Sequence, residues 1–563
     1  MVKLAGALAL AVAVVILTAA PALAHAILLS SSPADGSVVK QSPTALELTF
    51  NESVEVSLGS IKLLDQKGNR VDIGSPHHSV SSDHTIEAGV PHLSDGLYVL
   101  SWRVISADAH PVHGGFFFTV GHSSVNGQAV ANRLEAQSNG SRTVGVLFAI
   151  ARAAIFAGIA LLLGAVAFAG AIRPHGRRRS RADALMWVGW IVLLVSTVVA
   201  LLLQGPYAEA LSLSGMLHIA VVRAVLHTRY GHLVEIRLAL LLAALPLLFA
   251  LRRSFRPSAG WWALAVPVGL GIAATPGLAG HAATGTFTDF GIPLDTLHVA
   301  AMSVWLGGLA SLALIGLDHD PDARRAADRF SPVALWSVAI IVASGVFASW
   351  REVGWSVAAF RHTSYGNILL AKIAVFIGLL ALAAWSRHVV RARRPASLSA
   401  AVATERAATR EGQSAPSDPE VRSLRISVFG ELVFGITVLV ITSLLVNAQP
   451  ARSALALPFS TEIKQPTMLI DVIVAPAKAG PVVIHLYALT PSGGNEYLQD
   501  MTAEITLPSK GIGPLTIPLE RAGPNHFRNT DFFVPFAGRW KLTVRAFHTQ
   551  IDEVAAQTTV DIR

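Results

Sequence analysis

The chain has 563 residues, 52% of them hydrophobic and 14% charged, whereas a soluble domain is about 25% charged. A mean hydropathy of +0.53 excludes a wholly soluble protein and predicts an integral membrane protein. Cysteine is absent, and Lys plus Arg outnumber Asp plus Glu by 44 to 36; this excludes disulfides, zinc–thiolate sites, iron–sulfur clusters and thiol nucleophiles and leaves metal binding to His, Asp, Glu, Met or backbone groups.

Residues 1–24 carry an early Lys3, an apolar run from Leu4 to Leu17 and the small-residue end Ala22-Leu23-Ala24, the pattern of a secretory signal with its cleavage site. A first membrane anchor is the alternative. Cleavage after Ala24 makes His25 the first mature residue, whose free amine and imidazole can chelate one metal ion. The segment that follows, 25–121, alternates polar and apolar residues in short runs such as Leu46-Glu-Leu-Thr-Phe50 and Tyr98-Val-Leu-Ser-Trp-Arg-Val104, separated by turn signals such as Lys67-Gly-Asn69. It predicts a small β-sandwich or barrel, followed by a linker over 122–143.

Apolar stretches of spanning length occur at about 144–172, 184–204, 232–251, 261–280, 293–317, 332–349, 367–386 and 426–447 within a membrane region 144–450. Eight spans return the chain to the side on which it began. Loops 173–183, 252–256, 318–330 and 387–425 hold 19 Lys/Arg, whereas loops 205–231, 281–292 and 350–366 hold 4. By the positive-inside rule the first set is cytoplasmic and both chain ends lie outside, which agrees with the signal segment. Residues 208–227 are apolar but include Glu209, His218, Arg223 and His227; we read them as an amphipathic helix on the outer surface, and 395–420 as a flexible cytoplasmic linker. The tail 451–563 again alternates, as in Met468-Leu-Ile-Asp-Val-Ile-Val474, and predicts a second extracytoplasmic β-sandwich with scattered His485, His526 and His548 but no tight ligand cluster. The fold class is therefore mixed: a β-domain, a polytopic α-helical bundle and a C-terminal β-sandwich.

Two sets of residues can carry chemistry. Asp108-Ala-His110 places two donors on one side of an extended segment. With the amine and ring of His25, His110 completes three nitrogens and Asp108 adds an oxygen, a donor set that favours Cu(II); the bland alternative is that Asp108 and His110 cap a turn. In the fifth span, Asp295, His298, Met302 and Trp305 fall within an arc of about 80° at 100° per residue. Ionisable groups in a span are costly and face a bundle interior or pathway, and imidazole with thioether suits copper. His281 lies at the outer end of the preceding span. Helix–helix hydrogen bonding by His298 is the plainer alternative.

The segments His25-Ala-Ile-Leu-Leu-Ser-Ser-Ser-Pro-Ala-Asp-Gly36, Leu48-Thr-Phe-Asn-Glu52 and Trp102-Arg-Val-Ile-Ser-Ala-Asp-Ala-His-Pro-Val-His-Gly114 closely resemble the CopC family of periplasmic copper-binding β-barrels. The resemblance implies that His25, Asp108 and His110 bind Cu(II), with Glu52 and the additional His113 as weaker candidates. It also implies that the Met-rich Cu(I) loop of some CopC proteins is lacking, since no Met falls between residues 2 and 185. Gly280-His-Ala282, the run Leu294–Gly308, Thr363-Ser-Tyr-Gly366 with Lys372, and Glu431 resemble the CopD family, and the tail resembles YtkA-like β-domains. Together they resemble the fused copper proteins of bacterial membranes, which implies copper transport or resistance at the plasma membrane. Lys372 and Glu431 read as structural charges.

The expected partners are copper ions and the lipid bilayer, not nucleic acid, with room for an extracytoplasmic copper chaperone. Neither a P-loop nor a phosphorylated Asp-Lys-Thr-Gly motif occurs in the sequence, so ATP-driven pumping by this chain is not expected. The chain reads as a carrier and not an enzyme. The competing reading is a copper redox enzyme using a histidine brace, with haem in the bundle, which wants paired histidines at similar depth. Single cysteines at Ser123, Ser414 and Ser492 test the topology: an impermeant thiol reagent should label positions 123 and 492 in intact cells, and labelling at 414 overturns it.

Overall fold

The computed structural model describes residues 26, 28–107, 111–121, 141–172, 177–253, 257–284, 287–315, 321–354, 357–392, 418–452, 459–491, 496–522, 525–549 and 552–563. The signal segment, His25, Asp108, His110, residues 122–140 of the linker and most of the 395–420 stretch lie outside them.

The first domain contains β1 (Leu28–Ser32), β2 (Val38–Val39), β3 (Ala45–Phe50), β4 (Val54–Asp65), β5 (Arg70–Val71), β6 (His77–Ser79), β7 (Ser82–Gly89), β8 (Gly96–Ser106) and β9 (Pro111–Val120). They form two sheets, ordered β1-β3-β7-β6 and β2-β9-β8-β4-β5. Strand β3 shows why: Leu46, Leu48 and Phe50 are buried while Glu47 faces out, the period of a half-buried strand. Phe50 meets Trp102 edge-on at 5.3 Å across the core. Strand β8 loses the alternation because both its faces are covered. Tyr98, Leu100, Trp102 and Val104 fill the sandwich, whereas Ile105 joins the core of the helical bundle.

The bundle comprises α1 (Arg142–Ala171), α2 (Arg177–Glu209), α3 (Ile219–Leu226), α4 (Arg229–Arg253), α5 (Ala259–Leu278), α6 (Thr288–Ile315), α7 (Pro321–Val353), α8 (Val357–His362), α9 (Ser364–Ala392) and α10 (Asp418–Val446). Among the described residues seven helices, α1, α2, α4, α5, α6, α7 and α9, are long and apolar enough to cross a membrane. The eighth expected span falls in α10, of which Gly430–Val446 is the described apolar part and is shorter than the others. The segment after α2 is a 3-10 turn (Leu213–Leu217) and the eight-residue α3, too short to span, with Leu217 and Ile219 exposed. Helices α1 and α6 meet at glycines: a Cβ on Gly164 would strike the Gly307 backbone, and one on Gly307 the Ala160 carbonyl. Small residues at a crossing let two backbones approach where lipid supplies no hydrophobic drive.

The first domain docks on one end of this bundle. Arg103 on β8 donates from Nε to the Ala208 carbonyl and from Nη2 to Tyr207 O at 3.2 Å, at the end of α2. Glu55 accepts from the backbone N–H of Arg229 at 3.0 Å, and the Arg229 side chain donates to Ala107 O at 3.3 Å.

The C-terminal domain contains β10 (Phe459–Lys464), β11 (Leu469–Ala475), β12 (Gly480–Leu489), β13 (Asp500–Leu507), β14 (Ile512–Ile517), β15 (Glu520–Arg521), β16 (His526–Val534), β17 (Gly538–Phe547) and β18 (Glu553–Ile562). Its sheets, β10-β11-β12-β16-β15 and β14-β13-β17-β18, enclose a core around the fully buried Trp540. One expectation is corrected here. His485 and His526 are not scattered: β12 pairs with β16 so that Tyr487 opposes His526 and Arg528 opposes His485, and the two imidazoles are diagonal neighbours at 2.9 Å, Nδ1 to Nε2.

The first domain covers that face. Asn525 donates to Gly36 O at 3.0 Å, and a Cβ on Gly36, whose φ is +67°, would lie 2.9 Å from the Tyr487 ring. Beside it Asp35 accepts from Phe117 N. Burial, and then the negative charge of Asp471, push the Asp35 carboxyl up to about 7, while Asp471 is itself raised to about 6, by burial first and Glu462 second. A folded pKa above the unfolded value means that Asp35 costs stability progressively as pH rises from about 4 through 7. Asp35→Asn keeps the accepting oxygen and removes the charge. It should raise Tm by roughly 2–4 °C at pH 8 and leave Tm unchanged near pH 4; equal shifts at both pH values contradict the assignment.

Candidate functional site

The α6 face read from the sequence sits in the half of the bundle nearer the β-domains. Asp295 lies two turns into α6, with His298 and Met302 each one further turn along. Asp295 packs against the end of α5, where a Cβ on Gly277 would strike its carboxylate. Directly after α5, His281 begins a 3-10 turn (His281–Ala283). Arg351, near the end of α7, anchors that turn by donating to His281 O at 2.7 Å and to the Thr284 carbonyl. Lys372 on α9, Arg351, Glu352 and His281 all act electrostatically on Asp295. Arg351 and Glu352 are 3.7 Å apart and both buried.

His298 reaches across to α7, its Nδ1 2.9 Å from Ser344 Oγ. The single Ser344 hydroxyl proton points to Ile340 O at 2.6 Å, so Ser344 accepts from His298 Nδ1–H. That assignment puts the lone pair on Nε2, the arrangement of a ligating imidazole oriented by its other nitrogen. Met302 packs at the edge of the apolar core, one turn from Trp305, which meets Phe376 edge-on at 6.0 Å.

The sequence thus found the acid, imidazole and thioether on α6 but missed Ser344 and the Arg351–Glu352 pair, and it treated Lys372 as separate from Asp295. Arg-Glu at the end of an apolar run was the available signal, because a charge in a span points inward. Glu431 is buried on α10, on a different helix from the Asp295 partners. Among the described residues no three His, Asp or Glu side chains come close enough to enclose a metal ion. In the first domain, Glu52 is half-buried in the turn before β4, and His113 is exposed on β9 opposite Arg103. Ala107 and Pro111 bracket the Asp108–His110 stretch, and Arg229 of α4 holds Ala107.

These features define a multi-pass α-helical membrane protein with β-domains at one end of the bundle and a polar, histidine-bearing mouth beneath them. Comparison with known proteins gives the family. Residues 28–121 match the CopC domain, 143–288 the copper resistance protein D-like N-terminal domain and 324–445 copper resistance protein D. The chain is 26% identical to "Copper transport protein CutJ" of Bacillus subtilis over 94% of both chains. It is also 34% identical to "Copper resistance protein C" of Xanthomonas campestris over 18% of this chain and 86% of that one. The crystal structure of CopC from Methylosinus trichosporium OB3b is 33% identical, covering 17% of this chain and 93% of that one, with a TM-score of 0.16. The chain belongs to the copper resistance and transport proteins, as a fused CopC–CopD member.

Ser344→Ala should free the His298 ring and lower copper accumulation by about tenfold, the usual cost of losing the partner that orients a ligand. Ser344→Thr, which keeps the hydroxyl, should retain it. Equal copper content in cells making the Ala and Thr variants at matched protein levels argues against an oriented ligand.

Proposed function

We propose that this chain carries copper across the cytoplasmic membrane, with both β-domains on the outer face. His25, through its α-amine and ring, with His110 and Asp108, captures Cu(II); Glu52 and His113 are secondary donors at that site. The ion then passes to the mouth of the bundle, where His281, Asp295, His298 and Met302 offer successive donors. One observation carries this reading: the Arg229 side chain, at the start of α4, holds the carbonyl of Ala107, the residue next to Asp108. Ala107, one residue ahead of the proposed capture motif, is thereby tied to the bundle end at which His281 and Asp295 lie.

The donor chemistry supports a path and not a store. Two or three widely spaced donors bind an ion weakly enough to release it, as conduction requires. Lys372 and Arg351 balance the Asp295 charge in the absence of cargo, and an arriving cation takes over that role. The relatives, a copper transport protein and a copper resistance protein, support a carrier.

Two substitutions separate capture from passage. Extending the mature chain by one residue ahead of His25 removes its α-amine and should weaken Cu(II) binding at least tenfold, with loss of nitrogen couplings in the EPR spectrum; unchanged affinity sinks the capture site. His298→Ala should abolish copper-dependent accumulation in cells while Cu(II) binding at the first domain persists, and Met302→Leu should lower accumulation without affecting insertion. Parental copper handling by His298→Ala at equal protein levels makes His298 a packing residue.

A further inference from the structure

The outer face of the β10–β12–β16 sheet carries a row of cross-strand neighbours unlike the rest of the domain. Glu462 opposes Asp471, Asp471 opposes Tyr487, and Tyr487 opposes His526. His526 is completely buried, stacked on Tyr487 with ring centroids 4.2 Å apart and on His485 at 5.2 Å. Its Nε2 faces His485 Nδ1 at 2.9 Å, while its Nδ1 is buried with no hydrogen-bond partner among the described residues. That nitrogen points away from His485, so the case for a ligand rests on the two facing nitrogens, which lie where the first domain covers the sheet.

We propose that His485 Nδ1 and His526 Nε2 form a second copper site, which takes Cu(I) in two-coordinate geometry. Metal–imidazole bonds of about 2.0 Å set opposed nitrogens roughly 4 Å apart, so the pair must open by about 1 Å to admit the ion. No third His, Asp or Glu completes a shell among the described residues; the donor set is too small for the nitrogen-rich tetragonal site that Cu(II) favours, and imidazole suits copper. Burial holds both rings neutral, His485 lowered to about 4 and His526 to about 3, with Arg528 and the neighbouring imidazole adding to burial, so protons do not compete for the nitrogens near pH 7. Binding releases no proton: Cu(I) replaces the shared hydrogen bond, and the ring that donated it shifts its proton to its opposite nitrogen. Arg528 opposes a cation, and opposes a monovalent one less than a divalent one. Asp35 and Asp471, which both act on Tyr487, are raised carboxyls that an entering cation would draw toward their ionised forms, and that ionisation supplies the compensating negative charge.

This rests on the reading of the chain as a copper carrier only for the supply of the ion, and its test removes the other sites. Full-length protein with one residue added ahead of His25 and with His298→Ala is titrated anaerobically with Cu(I) against a chromogenic chelator. We expect one bound equivalent with an X-ray absorption spectrum of two nitrogen donors. Adding His526→Phe or His485→Phe, which keep an aromatic ring against Tyr487, should remove that equivalent while Tm shows the domain still folded. Unchanged stoichiometry in both Phe variants overturns the proposal. So does the absence of a two-nitrogen Cu(I) spectrum in the chain that retains both histidines, a result that needs no substitution of the pair. Failure of the Cu(II) capture site appears separately, in the EPR spectrum of the chain before these changes.

Discussion

A buried guanidinium joins the copper-family domain to the membrane bundle. The last carbonyls of α2 have no intrahelical partners and carry the negative end of the helix dipole. Arg103 of β8 satisfies two of them, at Tyr207 and Ala208. The contact strips water from the charge and therefore stands only because those carbonyls, and the apolar packing of Ile105 against the bundle, compensate it. Together with the Glu55–Arg229 contact it seats the first domain on the end of the bundle. It turns the β8–β9 end of the sandwich toward α4, where Arg229 grips Ala107.

Beneath that join the bundle tolerates an unusual density of charge. Asp295, Arg351, Glu352 and Lys372 lie near one another in the half facing the β-domains. A charge in the hydrocarbon layer costs several kcal/mol unless paired or hydrated, and here opposite charges and the carbonyls of His281 and Thr284 meet that cost together. Further along the same face, Ser344 of the facing helix holds the His298 ring through Nδ1 at 2.9 Å. Mutually compensating charges are what let this polar cluster stand inside an apolar bundle.

The two β-domains also hold each other. The turn at Asp35-Gly36 closes over Tyr487 and Asn525, tightly enough that a side chain on Gly36 would collide with the tyrosine ring. That closure buries Asp35 of one domain against Asp471, His485 and His526 of the other, raising the carboxyls and lowering the imidazoles. Asp35 and Asp471 therefore favour their uncharged forms together with His485 and His526, so the seam avoids isolated buried charge.

Local pattern was enough to identify the elements. The period of two in β3, the apolar runs of α1 to α9 and the arc of Asp295, His298 and Met302 each follow from backbone geometry over a few residues, and the family resemblance followed from contiguous motifs. The sequence by itself determined the order of a β-domain, a polytopic bundle and a second β-domain, and which α6 residues share a face. It could not pair residues far apart in the chain. Ser344 meets His298 across 46 positions and His526 meets His485 across 41, through helix packing in one case and strand register in the other. Sequence reading also missed that β8 would lose its alternation, since its second face is covered too, at the Arg103 and Ile105 end by the bundle. Only the tertiary structure decided these points, because partners of a buried polar group are chosen by which surfaces exclude water together, and that is a property of the packed chain.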